Sequence, residues 1–214
     1  MKGAFVVQPP GLTQATAVRE PELKYHGGKV LEHGNFVSLY AGHYWTTAKG
    51  KKDKKKLDRA SKIIPTGSYA TTWKEYGAGP GKFAGSKVIP LGHGLKRVNQ
   101  SDVEKLVADA LHRKGVVAPD GNTVYTVFLP PGAILSLPDV DSQGGLGGYH
   151  SSYVDPTTKK KVYYAAIVYQ DLFNGIPFAD KSIDNITIAA SHEWAETVTD
   201  PDVNGGPYGW YDGT

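Results

Sequence analysis

Ser101-Asp-Val-Glu-Lys-Leu-Val-Ala-Asp-Ala-Leu-His112, a turn at Asp120-Gly-Asn122, then Thr123-Val-Tyr-Thr-Val-Phe-Leu129: these pieces decide the fold class. The first is a helix. Ser101 and Glu104 make a capping box, and Val103, Leu106, Val107 and Leu111 recur at helical spacing through about His112. The last is a strand, rich in β-formers and ended by Pro130-Pro131-Gly132. Working outward, Val37–Tyr40, Val88–Leu91 and Lys161–Tyr169 read as strands. Leu57–Ile64 and Ser68–Tyr76 read as short helices interrupted at Pro65, and a last helix runs from Ser182 to about Thr199. Helices interleaved with strands predict an α/β domain with a mixed sheet.

The remaining segments read as connections. Residues 1–29 carry Pro9, Pro10, Pro21 and Gly27-Gly28 and are expected to form an extended N-terminal arm, leaving 30–214 as one domain. Lys51–Lys56 holds five lysines and one Asp and reads as a solvated loop or first helical turn. Gly77–Gly85 is a glycine-rich loop. Its Gly81-Lys82 lacks the spacing of a phosphate loop, since Tyr76 and Phe83 stand where Gly and Ser or Thr would be needed. Residues 138–160 read as a Gly- and Ser-rich loop.

Composition excludes several classes. The 214 residues suit one large domain. Lysines and arginines exceed acids only 24 to 21, and no nucleic-acid motif is present, so nucleic acid is not an expected partner. No stretch approaches the length and apolarity of a membrane span. Cysteine is absent, which removes disulfides, thiolate metal sites and a Cys nucleophile.

The chemistry-bearing segment is Ser191-His192-Glu193-Trp194-Ala195-Glu196-Thr197-Val198-Thr199-Asp200-Pro201, on the last helix. His192 and Glu196 are four apart and share a face. This is the H-E-x-x-H spacing with Glu for the second His, and zinc accepts both imidazole nitrogen and carboxylate oxygen. Glu193 then stands where a general base takes a proton from water whose acidity a metal has raised. The segment reads as a zincin-like active-site helix near the C-terminus. A third ligand is needed. Among His26, His33, His43, His93, His112 and His150, the best placed is His150, in a flexible loop; His43 is second, and His112 reads as a charge partner at a helix end. Asp200, Asp202 and Asn204 echo the first half of a calcium loop, but its twelfth position is Tyr211 rather than Glu.

Four pieces together resemble secreted bacterial and fungal proteins related to the plant phosphate-induced (Exordium-type) proteins. They are Tyr25-His-Gly-Gly28, Asn122–Pro131, Gly148-Tyr-His-Ser151, and Ser191–Pro201 with Trp210-Tyr-Asp212, in the family's order. The resemblance implies an extracellular protein whose signal peptide is not in this chain. It pairs His150 with His192, and members with the His-Glu pair look like zinc metallopeptidases. Where the family has cysteines before Gly-Tyr-His, this chain has Asp141–Gly147. It also stops at Thr214, where the family continues with an acidic segment.

The expected ligand set is therefore His150, His192 and Glu196, with Asp200 the rival of Glu196. Glu193 is the base, and Tyr149 or Tyr153 the donor to a developing oxyanion. The expected function is a secreted zinc-dependent hydrolase, a peptidase acting as a monomer. The alternative is a metal-stabilised cell-wall or polysaccharide binding protein stacking sugars on Trp45, Trp73 and Trp210. A polysaccharide-cleaving enzyme with the same metal is a third reading.

Overall fold

The computed structural model describes residues 4–6, 23–92, 96–171, 174–176 and 178–212. Pro9, Pro10, Pro21 and His93 lie outside them. In chain order the elements are β1 (Ala4–Val6), β2 (Lys24–Tyr25), β3 (His33–Ala41), α1 (Ala48–Ile63), α2 (Ser68–Thr71), β4 (Gly79–Ile89) and β5 (Arg97–Asn99). There follow α3 (Gln100–Leu111), β6 (Thr123–Phe128), β7 (Ile134–Ser136), β8 (Leu146–Val154), β9 (Lys161–Ile167), α4 (Ser182–Thr199) and β10 (Trp210–Tyr211).

Six strands form one mixed sheet in the order β1-β8-β9-β6-β3-β4. β4, β3, β6 and β9 run parallel, while β8 is antiparallel to both β9 and β1. Strand alternation sends side chains to two cores. Val37, Leu39, Tyr125, Val127, Tyr164 and Ala166 pack on one face with Val103, Leu106, Val107 and Ala110 of α3. Phe36, Tyr40, Val124, Phe128, Tyr163 and Ile167 pack on the other with Leu57 of α1 and Ile186, Ala189, Ala190, Trp194 and Val198 of α4. Covered on both faces, β6 and β9 read as nearly unbroken apolar runs, as parallel strands between helical layers do.

Four expectations need correction. Lys51–Lys56 lies inside α1. The buried stripe of that helix is Gly50, Asp53, Leu57 and Ser61, with one large apolar residue, so apolar spacing conceals it. Gly77–Gly85 is mostly strand: β4 is the outer strand of the sheet, where Pro80 removes no needed donor. Gly81 lies against the Gly34 carbonyl, so closely that a Cβ would fall 2.0 Å from it. The cap of α3 is Asn99, not Ser101; Asn99 and Asp102 bond reciprocally. Most consequentially, 138–160 is not all loop, because it contains β8. The expected arm also contributes paired backbone: β1 extends the sheet beside β8, and β2 pairs with β10.

Candidate metal centre

The site lies where β8 passes under α4. Residues 186, 189, 190, 193, 194, 197 and 198 of α4 are buried, an i, i+3, i+4, i+7 stripe facing the sheet. Six of these suit a core or a backbone-bonded position. The seventh is Glu193, a carboxyl at 0% exposure beside Trp194, whose indole N–H donates to Thr126 Oγ1 at 2.8 Å. Burying a carboxylate is costly unless a cation or donors face it.

His150 of β8 faces it. On this strand Gly148, His150 and Ser152 point toward α4: a Cβ on Gly148 would stand 3.3 Å from Glu193 Cγ, and Ser152 donates to Asp202. The His150 ring, 2% exposed, is held at both nitrogens. Nε2 is 3.1 Å from the carbonyl oxygen of Asp200, an acceptor left over at the helix end before Pro201. Nδ1 is 3.3 Å from Glu193 Oε2 and 3.3 Å from Glu196 Oε2. Because a carbonyl can only accept, Nε2 carries a proton. Nδ1 therefore aims either a second proton or a lone pair at two carboxylates.

The electrostatics follow from this convergence. Burial opposes a charge on His150, but Glu193 and Glu196 outweigh it and raise its pKa to about 10. Burial lifts the Glu193 carboxyl to about 7 despite the opposing pull of His150. Burial also opposes ionisation of Glu196, yet bonds from His150 and His192 hold it down at about 2. His192, with Nε2 2.9 Å from Glu196 Oε1, is raised by that partner against its own burial. Burial raises the Asp200 carboxyl.

A metal fits this group. His150, Glu193 and Glu196 each offer a ligand atom, and these atoms lie within 4.8 Å of one another. Glu193 Oε1 is buried and has no hydrogen-bond partner among the described residues, and Glu196 Oε2 is approached only by His150 Nδ1 at 3.3 Å among them. One imidazole nitrogen and two carboxylates are a donor set that zinc and other divalent ions accept. Glu193, expected to stand apart as base, thus lies inside the group.

The other expected residues fall as follows. His192 reaches Glu196 but is not in the compact group. Asp200 approaches His150 through its backbone; its carboxylate accepts from the Gly209 amide at 2.7 Å. Tyr149 and Tyr153 point to the opposite face of the sheet, against Tyr164, because they alternate with His150; neither can serve this site. His43 is exposed in the turn before α1 and bonds to Thr46. His112 sits at the end of α3, as expected. The calcium reading fails on its own ligands: Asp202 pairs with Lys161 at 2.7 Å, and Asn204 donates to Ser151 at 2.6 Å. Trp45 is buried, so it cannot present a face to a sugar, and Trp73 is buried except where it borders the cavity described below. The Asp200 carbonyl was missed as a partner of His150. Its signal was the proline that ends α4.

Beside the group opens a cavity of about 440 Å³, reached by His150, Glu196 and Asp200 and walled by Trp73, Tyr76, Trp210 and Tyr211. β2 and β10 hold this wall: Trp210 lies opposite Tyr25, and its indole N–H donates to the Tyr76 carbonyl at 2.8 Å. No protein-family model matches the chain, and neither a curated protein nor a solved structure matches it. Among the described residues no helix is long and apolar enough to cross a membrane.

Proposed function

We propose that the protein is a secreted, zinc-dependent hydrolase acting on peptides, related to the Exordium-type proteins. One observation carries the reading: with Nε2 committed to the Asp200 carbonyl, His150 Nδ1 meets two carboxylates, the buried Glu193 and the half-exposed Glu196. Only a proton or a cation relieves that arrangement, and a buried imidazole aimed in this way is a usual ligand.

His150 and Glu196 would hold the ion in this reading, with His192, which already reaches Glu196, as third ligand in place of Glu193. When bound, zinc polarises a carbonyl and makes water more acidic. The chain's residues do the rest. The Asp200 carbonyl fixes the tautomer of His150. Glu196 remains ionised and lines the cavity where a substrate enters. Glu193 keeps one oxygen without a partner, and that oxygen takes a proton from water and returns it to the leaving amine. The opposite displacement of the two glutamates suits this division, one anionic throughout and one exchanging a proton near neutrality.

The test is metal content and peptide turnover in Glu193→Gln and His192→Ala. Glu193→Gln should keep one zinc per chain and lose turnover. His192→Ala should lose zinc. Zinc lost from Glu193→Gln and kept by His192→Ala would exchange their roles. No zinc in the unsubstituted protein would end the reading.

A further inference from the structure

The cavity next to the metal centre has a chemistry of its own. Its walls are aromatic, with Trp73, Tyr76, Trp210 and Tyr211 on its surface. Apart from His150, the proposed metal ligand, its charged groups are acids: Glu196, Asp200 and Asp212. No lysine or arginine lines it among the described residues. Its volume of about 440 Å³ falls within the ~300–1,000 Å³ of ligand pockets and exceeds what one side chain fills.

These features select among ligands. A divalent ion would offset the charges of Glu193 and Glu196, which leaves Asp200 and Asp212 uncompensated. Asp200 is buried and spends one oxygen on the Gly209 amide. Asp212 has no cationic partner among the described residues. An anionic group entering here meets like charge. A neutral sugar could stack on the rings and donate hydroxyls to the carboxylates, but it brings no positive charge to offset theirs. An extended organic cation satisfies both features, because aromatic faces attract cations and carboxylates bond to guanidinium or ammonium. A bare metal ion would not need the rings.

We propose that this cavity receives an arginine or lysine side chain of a peptide, and so directs the hydrolase toward bonds beside basic residues. The inference rests on the hydrolase reading for its catalytic part, while the cavity's preference for a cation rests only on the lining.

The test uses three small probes on the zinc-loaded protein: N-acetyl-arginine amide, its neutral isostere N-acetyl-citrulline amide, and N-acetyl-norleucine amide. Binding is followed by titration calorimetry and by tryptophan fluorescence, since Trp73 and Trp210 line the cavity. The arginine amide should bind at least tenfold more tightly than citrulline or norleucine. Asp212→Asn should weaken arginine binding about fivefold or more and leave citrulline binding unchanged. Circular dichroism of Asp212→Asn confirms that it folds; Asp212→Glu, which keeps the charge, should retain the preference. Equal binding of arginine and citrulline overturns the proposal, as does a preference for norleucine. If peptides are cleaved without preference for basic residues, the cavity assignment fails and the hydrolase reading stands. If the arginine preference is found but no peptide is cleaved, the hydrolase reading fails and the cavity assignment stands.

Discussion

Gly148 is the residue on which strand and helix close, and replacing it with alanine measures that closeness. A Cβ at this position would lie 2.8 Å from the Ala166 carbonyl oxygen, 2.9 Å from Ile167 Cδ1 and 3.3 Å from Glu193 Cγ. The first neighbour is backbone and cannot turn aside, since Gly148 pairs with Ile167 and Tyr149 with Ala166 in the β8–β9 ladder. Either the ladder opens or α4 lifts by a few tenths of an ångström. Overpacking of this kind costs ~1–3 kcal/mol. Loss of glycine's freedom in the unfolded chain returns ~0.5–1 kcal/mol. The expected net loss is ~1–2 kcal/mol. Urea unfolding in the presence of a chelator reads it, with Gly144→Ala as the control. A Cβ on Gly144 meets nothing closer than 3.9 Å, so that variant should be neutral or slightly more stable. If Gly148→Ala is as stable as Gly144→Ala, the contact between β8 and α4 is looser than described, and with it the placement of His150 under Glu193.

Four further outcomes follow from the structure. A proton on His150 competes with the metal, and its raised pKa of about 10 means that binding zinc displaces one proton throughout the neutral range. Zinc affinity should climb ~10-fold per pH unit from 7 to 9, measured against a chromogenic chelator; a flat profile would exclude His150 as a ligand. The metal-free protein should respond in the opposite sense. A histidine raised in the folded state contributes stability that is complete below about 6.5 and lost as pH rises through 10, so chelated protein should unfold at lower urea at pH 10 than at pH 7. Zinc should raise the thermal midpoint of the protein by mass action, whereas calcium should leave it unchanged, because Asp202 and Asn204 are already paired; a calcium-induced rise would restore the loop as a site. Trp194→Phe should cost ~1–3 kcal/mol by urea unfolding, from lost packing and from a Thr126 hydroxyl left without its donor; a neutral result would contradict the burial of this indole.

How much of this was readable beforehand depended on whether apolar side chains carried the pattern. α4 was readable end to end, since its apolar residues repeat at helical spacing and Pro201 closes it. β6 and β9 were readable as runs of β-formers. α1 was not: its inward stripe is Gly50, Asp53, Leu57 and Ser61, and Asp53 is buried on the hydroxyls of Tyr44 and of Tyr169, the latter remote in sequence. β4 and β8 were hidden by their glycines. In β8 the glycine marks close approach of a helix, and local sequence does not distinguish that from a flexible loop. The pairing of His150 with α4 was expected from motif resemblance rather than from spacing. The position of Glu193 inside the cluster, and of Tyr149 outside it, depended on the phase of β8, and a strand not recognised has no phase to read.

The sheet order carries one more consequence. β8, which holds His150, is not at the rim of the sheet because β1 lies beside it, with Ala4 opposite Tyr149 and Phe5 opposite Gly148. Ala4–Val6 thus occupy backbone donors and acceptors on the strand that carries His150. A cut that removes them would turn β8 into a bare edge, open to pairing with the same strand of another molecule. Loss of the Ala4–Val6 strand would therefore affect self-association and the alignment of His150 together.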